Sequence, residues 1–157
     1  MALRNIIKFG DECLRKKCRP VTKFDDRLGE LLDDLAETLL ANDGVGLAAP
    51  QVGILKRVAV VNIRDPHGNI ELVNPEIIES SGSQTGNEGC LSAPNQWADV
   101  ERPNVVTVRA FDRHGNEFTI TGEELLARAF CHEIDHLDGI LFTDHVKKTI
   151  PPRGDKL

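Results

Sequence analysis

The chain has 157 residues, of which 40% are hydrophobic and 28% are charged, and it contains 13 glycines and 8 prolines. These values are typical of a globular domain and argue against disorder, a collagen-like repeat or a coiled coil. A formal net charge of −6 argues against direct binding to nucleic acids or anionic membranes. We expect a single domain over residues 1–150 and a flexible tail over residues 151–157.

The chain has no apolar run of the roughly 20 residues that a membrane-spanning helix needs. Its first ten residues lack the apolar core and the cleavage site of a secretory signal. Four scattered cysteines are too few for a disulfide framework and fit a reducing compartment. We therefore expect a cytoplasmic protein.

The first predicted element is an amphipathic helix over residues 25–42. Six leucines recur there at steps of three and four, which places them along one side of a helix. They are Leu28, Leu31, Leu32, Leu35, Leu39 and Leu40. Asp25 or Asp26 can cap its start, and Asp43 with Gly44 can end it.

Short β-branched runs separated by turn residues follow in the middle of the chain. They predict an antiparallel or mixed sheet, because no helix-length crossover separates them. The predicted strands are residues 58–63, 70–73, 105–111 and 118–121, and the turns are residues 65–68 and 113–116.

A second helix is predicted to begin at Thr121, because Glu124 follows at the spacing of a capping box. Its apolar stripe consists of Leu125, Leu126, Ala129, Phe130, Ile134 and Leu137, and Gly139 is a suitable stop. The fold class is therefore α+β. We expect a mixed, mostly antiparallel sheet packed around this central helix, with the amphipathic leucine helix towards the N-terminus.

The second helix carries an HExxH pattern. His132 and His136 lie one turn apart on one face, so both imidazoles can bind one cation, and Glu133 can face what that cation binds. A solvated helix face that happens to carry two histidines is the simpler explanation. Against it, Glu133 adjoins the apolar stripe, where a buried acid needs a cation or a hydrogen-bond donor. The pattern therefore predicts a metal site.

A catalytic metal site usually has three protein ligands and an open position, so one ligand is missing. Cys131 directly precedes the first histidine and points about 100° away around the helix, which favours the core. Gly89 lets the backbone beside Cys90 approach another element closely. The candidates are Cys90, Cys131, His114, Asp138 and His145.

Three segments together resemble the signature motifs of the peptide deformylases, in the same order and at similar spacing. They are residues 44–53 (GVGLAAPQVG), residues 88–92 (EGCLS) and residues 132–137 (HEIDHL). The resemblance implies a metal-dependent hydrolase that removes the N-formyl group from N-formylmethionyl nascent polypeptides and releases formate. It also allows a transient contact with the ribosome.

The resemblance implies that Cys90, His132 and His136 bind one divalent metal ion, commonly Fe(II) in this family, with Zn, Ni or Co able to replace it. A metal-bound hydroxide would then attack the formyl carbon.

Three other groups take catalytic roles by the same resemblance. Glu133 would serve as general base and then as general acid. The side-chain amide of Gln51 and the backbone N–H of Leu91 would stabilise the charge that develops on the carbonyl oxygen. From the residues alone, Gln51 is more simply interpreted as an amide that caps a loop.

Substrate binding is assigned to Val45 and Gly46, since a glycine leaves room for a peptide to run alongside as an added strand. An apolar pocket must receive the methionine side chain, and Val45, Leu126, Ala129 and Phe130 are candidates to line it, although core packing explains them equally well. A formyl group is smaller than an acetyl group, so we predict that acetylated ends are rejected sterically.

Trp97 and Cys131 depart from the family pattern, because many members have arginine and glutamine at these positions. Many bacterial members also carry a longer C-terminal helix. Two other kinds of protein stay open. One is an HExxH peptidase that cuts internal bonds, although no third histidine follows at the metzincin spacing. The other is a binding module with a structural metal, although such sites usually have four protein ligands.

Overall fold

Two helices pack on opposite faces of one sheet, and the structure, a computed structural model, describes residues 2–146. The helices are α1, Asp26–Ala41, and α2, Leu125–Leu137. The strands are β1, Gly46–Ala48; β2, Val58–Val61; β3, Ile70–Ser81; β4, Gln84–Cys90; β5, Ala93–Arg102; β6, Val105–Phe111; and β7, Glu117–Glu123. The predicted tail over residues 151–157 lies outside the described residues, and the single domain over residues 1–150 stays a prediction.

Five strands form the main sheet in the order β1-β2-β3-β6-β7, and each neighbouring pair is antiparallel. Strands β4 and β5 pair with each other in a separate antiparallel ribbon, which we call the β4–β5 ribbon. The predicted α+β class with mostly antiparallel strands is confirmed. Among the described residues, no helix combines the length and apolarity that crossing a membrane requires.

Strand β2 shows why the sheet is covered on both faces. Its side chains alternate in direction, as in any strand. Val58 and Val60 pack with the leucines of α1, whereas Val61 packs with residues of α2 and Ala59 packs against Leu137. All four residues of the strand are fully buried, so β2 fixes the two helices relative to each other.

Helix α1 begins where the side chain of Asp25 accepts the N–H of Leu28 at 3.2 Å, which is an N-cap. Its predicted leucine stripe is buried with one exception. Leu40 is 47% exposed, because it lies at the edge of the stripe near the end of the helix.

The start predicted for α2 was wrong. Thr121 pairs with Thr107 across strands β6 and β7, and their hydroxyl groups lie 2.8 Å apart. Cross-strand pairing therefore takes Thr121 into the sheet, and α2 begins only at Leu125, after Glu124 turns the chain with a φ of +56°.

Candidate functional site

A thiol and two imidazoles from distant parts of the chain converge at one point. Cys90 is the last residue of β4, while His132 and His136 lie one turn apart in α2. Sγ of Cys90 lies 3.4 Å from Nε2 of His136, and the three candidate ligand atoms lie within 4.8 Å of one another. Within residues 2–146, no second group of this kind occurs.

The other candidates for the third ligand lie elsewhere. Cys131 is buried in the apolar core, as predicted. His114 occupies the turn between β6 and β7. Asp138 accepts a hydrogen bond from Arg57 at 2.9 Å, and His145 lies outside the converging group.

The donor set fits one divalent ion. Typical bonds of about 2.3 Å to sulfur and about 2.0 Å to nitrogen in a tetrahedral site separate the two donor atoms by roughly 3.5 Å. The 3.4 Å between Cys90 and His136 matches that value. Nδ1 of His132 lies 3.0 Å from Oε1 of Glu88, which leaves its other nitrogen for the ion.

Glu88 is the centre of a buried ionic cluster that the sequence did not indicate. Arg102 donates to both of its carboxylate oxygens at 2.9 Å, and Arg128 donates to it as well. Burial acts to raise the pKa of Glu88, but the hydrogen bonds from His132 and Arg102 outweigh it and lower that pKa to about 2. Glu88 thus stays ionised. The signal available in the sequence was its position in the segment 88–92, two residues before Cys90.

Glu133 lies beside the cluster with one oxygen that lacks a partner. It is 3% exposed, and Oε1 makes no hydrogen bond to any described residue. Burial raises the pKa of Glu133 to about 7. Burial likewise holds the pKa of His136 well below its ordinary value, which favours the neutral imidazole that metals bind.

Glycine at position 46 is required by the position of this carboxylate. A Cβ added to Gly46 would lie 2.5 Å from Oε2 of Glu133 and 2.7 Å from its Cγ. The edge of β1 therefore runs directly against the carboxylate, and Glu133 fills the space that a side chain at position 46 would take. Room for a peptide alongside Gly46 stays a prediction.

Gln51 connects β1 to the β4–β5 ribbon. Its Oε1 accepts the N–H of Ala48 at 3.0 Å, which is the loop cap suggested by the sequence. Its Nε2 donates to the hydroxyl of Ser92 at 3.0 Å and lies 3.5 Å from Sγ of Cys90. Ser92 was not singled out from the sequence, since nothing local links residues 41 positions apart.

Leu91 occupies the short turn between β4 and β5, directly after Cys90. Its side chain fills the space over Gly44, where an added Cβ would lie 2.7 Å from Cδ1 of Leu91. This packing places Leu91 between Gly44 and the adjoining Cys90.

A cleft of about 510 Å³ opens beside the cluster. Val45 and Ala129 line it, as does Glu133. Leu126 and Phe130 do not, and their assignment to the pocket was wrong. Both are buried in the apolar core between α2 and the sheet, which is the alternative explanation that the sequence left open for them.

Known proteins match this chain over nearly its full length. The sequence model of the family described as Polypeptide deformylase matches residues 3–151. A peptide deformylase of Caldicellulosiruptor bescii is 56% identical and covers 100% of this chain and 98% of its own. Peptide deformylase 1 of Bacillus subtilis is 55% identical and covers 94% of this chain and 92% of its own.

Solved structures of peptide deformylases are also similar to this chain. The crystal structure of a peptide deformylase from Legionella pneumophila is similar with a TM-score of 0.90 at 47% identity, and covers 94% of this chain and 88% of its own. That of the enzyme from Thermotoga maritima is similar with a TM-score of 0.90 at 39% identity, and covers 94% of this chain and 99% of its own.

Proposed function

This chain belongs to the polypeptide deformylase family and is a hydrolase, and on that premise we propose that it removes the N-formyl group from N-formylmethionyl nascent polypeptides. The products are formate and a free N-terminal amine. The observation that carries the proposal is the meeting of Cys90 with the two histidines of α2 beside the buried Glu133.

Sγ of Cys90 and one ring nitrogen each of His132 and His136 would hold the metal ion. We infer Fe(II) as the native ion, with Zn, Ni or Co as replacements, because a mixed sulfur and nitrogen site accepts several first-row metals. When bound, such an ion polarises a carbonyl oxygen and lowers the pKa of water towards neutrality. Glu88 fixes the ring of His132 through its Nδ1 atom and so keeps the ligand oriented.

Glu133 moves the proton. Its unpartnered Oε1 accepts a proton from the attacking water and later passes it to the departing amine nitrogen. The raised pKa of Glu133, about 7, suits a group that must both accept and donate a proton near neutral pH.

Gln51 and Leu91 would stabilise the oxygen of the formyl group as negative charge builds on it. Nε2 of Gln51 is held at the site by its contact with Ser92, so the donor is oriented before substrate arrives. The backbone N–H of Leu91 is fixed by the turn that follows Cys90. One such donor typically lowers the barrier by about 2.7–4 kcal/mol.

The free edge of β1 suits an added peptide strand. Val45 accepts the N–H of Asn62 at 2.8 Å, so Val45 belongs to a hydrogen-bonded pair with the neighbouring strand. In an antiparallel ladder the next residue, Gly46, then directs its N–H and C=O away from β2. The N–H of Ala48 points the same way and meets Gln51. A peptide bound along Gly46 would present its formyl group to the catalytic residues.

The methionine side chain would enter the cleft between Val45 and Ala129. Glu133 and Gln51 are both buried beside the three candidate metal ligands, so little space is left there. A group as large as acetyl would therefore be excluded sterically. Comparable turnover of formylated and acetylated peptides would contradict this. We further propose that the enzyme acts in the cytoplasm, where a transient contact with the ribosome would bring it to its substrates.

Formate release from formyl-Met-Ala-Ala by anaerobically prepared, Fe(II)-loaded protein tests the function. The Glu133→Ala variant should keep its metal and its fold but lose activity at least 100-fold. Glu30→Ala, which changes an exposed carboxylate on α1, is the matched control and should behave as the wild type.

Two results would favour the alternatives. A wild-type protein that binds metal but releases no formate would support a structural metal site. Cleavage of internal peptide bonds without formate release would support an HExxH peptidase.

A further inference from the structure

The only tryptophan of the chain stands at the rim of the cleft. Trp97 is 69% exposed, the largest exposed fraction among the large hydrophobic side chains of the described residues. It lines the cleft together with Cys90 and Glu133. None of the catalytic roles assigned above uses it.

The indole of Trp97 packs directly on the backbone of Gly89. A Cβ added at Gly89 would lie 2.7 Å, 2.8 Å and 3.0 Å from the ring atoms Cζ3, Cε3 and Cη2. The six-membered ring therefore rests where any other residue would carry a side chain. One side of the indole is supported by the β4–β5 ribbon, while most of the ring stays open to solvent.

Other exposed apolar side chains border the same cleft. Of the seven large hydrophobic residues exposed in the described part of the chain, Val45, Trp97 and Leu125 all line it, each from a different part of the chain. The residues just before the indole, Pro94, Asn95 and Gln96, are uncharged. That segment therefore offers a charged side chain no ionic partner, whereas the exposed apolar surface of the rim comes from Val45, Trp97 and Leu125.

The cleft is larger than the formylmethionyl group requires. Cavities of roughly 300–1,000 Å³ enclose whole drug-sized ligands, and this cleft measures about 510 Å³. A peptide that extends along Gly46 from the catalytic cluster would carry its following residues through the remaining space.

We propose that Trp97 is a specificity-determining residue that binds the side chain of the second or third amino acid of the substrate and favours a large apolar or aromatic one. This inference rests on the deformylase function proposed above. Aromatic contacts of this kind correspond to a preference of about three- to tenfold. Because Trp97 contacts no reacting atom, its contribution should appear in KM rather than in kcat.

The kinetic test compares formyl-Met-Ala-Ala, formyl-Met-Phe-Ala and formyl-Met-Ala-Phe on the metal-loaded enzyme. The wild type should favour at least one phenylalanine peptide over the alanine peptide by about three- to tenfold in kcat/KM. Trp97→Ala should reduce that ratio to below about twofold through KM, and Trp97→Phe should keep most of it. Ile78→Ala removes an exposed side chain of β3 outside the cleft and should leave the ratio unchanged.

Intrinsic fluorescence gives a second readout, because Trp97 has no competing tryptophan or tyrosine. Emission should shift to shorter wavelength when the product peptide with the favoured phenylalanine binds, and shift less with Met-Ala-Ala. Emission that stays unchanged on saturation would overturn the proposal, as would equal ratios in the wild type and Trp97→Ala. If the wild type hydrolyses none of the formyl peptides, the proposed function is wrong and this inference is wrong with it. If turnover is normal but the wild type and Trp97→Ala have equal kcat/KM ratios, only this inference is wrong.

Discussion

Oε1 of Glu88 lies 3.0 Å from Nδ1 of His132, and both side chains are buried. A carboxylate on the far nitrogen of a ligating histidine fixes its tautomer and its ring orientation. Two arginines hold this carboxylate in turn. The β4–β5 ribbon thus supplies one candidate ligand, Cys90, and also orients another, His132 on α2.

We expect Glu88→Gln to weaken metal binding by about 10- to 100-fold, the usual effect of removing a partner of this kind. It also leaves Arg128 without its buried counter-charge and leaves Arg102 with only the partly buried Asp135, so the thermal midpoint should fall. Metal titration and thermal unfolding measure both effects. Glu101→Gln, at an exposed position of β5, is the control. Unchanged metal affinity would show that Glu88 does not orient the ligand.

Gly46→Ala should lower kcat/KM by about 100-fold or more, because the added Cβ would lie 2.5 Å from Oε2 of Glu133 and force the carboxylate to move. Metal content should stay the same. Gly29→Ala in α1 provides the comparison, since its Cβ would meet only Arg113 at 3.4 Å. That change should preserve activity and add about 0.5–1 kcal/mol of stability. An active Gly46→Ala enzyme would contradict the assigned geometry.

Gln51→Leu should reduce kcat by about 100- to 1,000-fold with a smaller change in KM, since the amide acts on charge that develops during the reaction. Ser92→Ala keeps the amide and removes the hydroxyl that anchors it, so it should cost less activity. Steady-state kinetics on metal-matched samples separate the two. Equal losses in both variants would indicate a purely structural role for Gln51.

Acid should weaken the attachment of the N-terminal segment to α1. Asp34 accepts the N–H of Ala2 at 2.7 Å and Nε of Arg4 at 2.9 Å. Burial acts to raise the pKa of Asp34, but these bonds outweigh it and hold that pKa below its ordinary value of 3.8. The stabilisation is therefore complete above pH 3.8 and is lost as the pH falls through the lower native value.

We expect Asp34→Asn to lower the free energy of unfolding by about 1–2 kcal/mol at pH 6 and to flatten its dependence on acid. Urea unfolding between pH 6 and pH 3 measures this. The exposed Glu30→Gln on the same helix should unfold as the wild type does at pH 6. A variant that is as sensitive to acid as the wild type would exclude Asp34 as the cause.

The elements predicted correctly are those in which the spacing of hydrophobic residues matches the face that is buried. Strand β6, Val105–Phe111, has the predicted bounds, and α1 lies within residues 25–42. Strands β4 and β5 were missed because both are largely exposed and rich in polar residues, so no hydrophobic alternation marks them. Strand β1 is only three residues long, and its glycine carries no strand signal.

The residues of the candidate site also fall into those that the sequence predicted and those that it did not. His132 and His136 were accessible because the HExxH spacing along a helix is a local property. Cys90 was one of five candidates from the residues alone, and only the family resemblance selected it. Ser92 and Arg102 were not, since each acts on a residue distant in sequence and nearby only after folding. Trp97 was visible as a departure from the family pattern, but its packing on Gly89 depends on the register of the ribbon.

The candidate ligands are divided between the β4–β5 ribbon and α2, and this division bears on when an ion would be acquired. Cys90 precedes His136 by 46 residues, so no local fragment contains the full set. We therefore expect metal loading to be a late event in folding that follows the docking of the β4–β5 ribbon against α2. The rate of metal uptake during refolding would then measure the rate of that docking step.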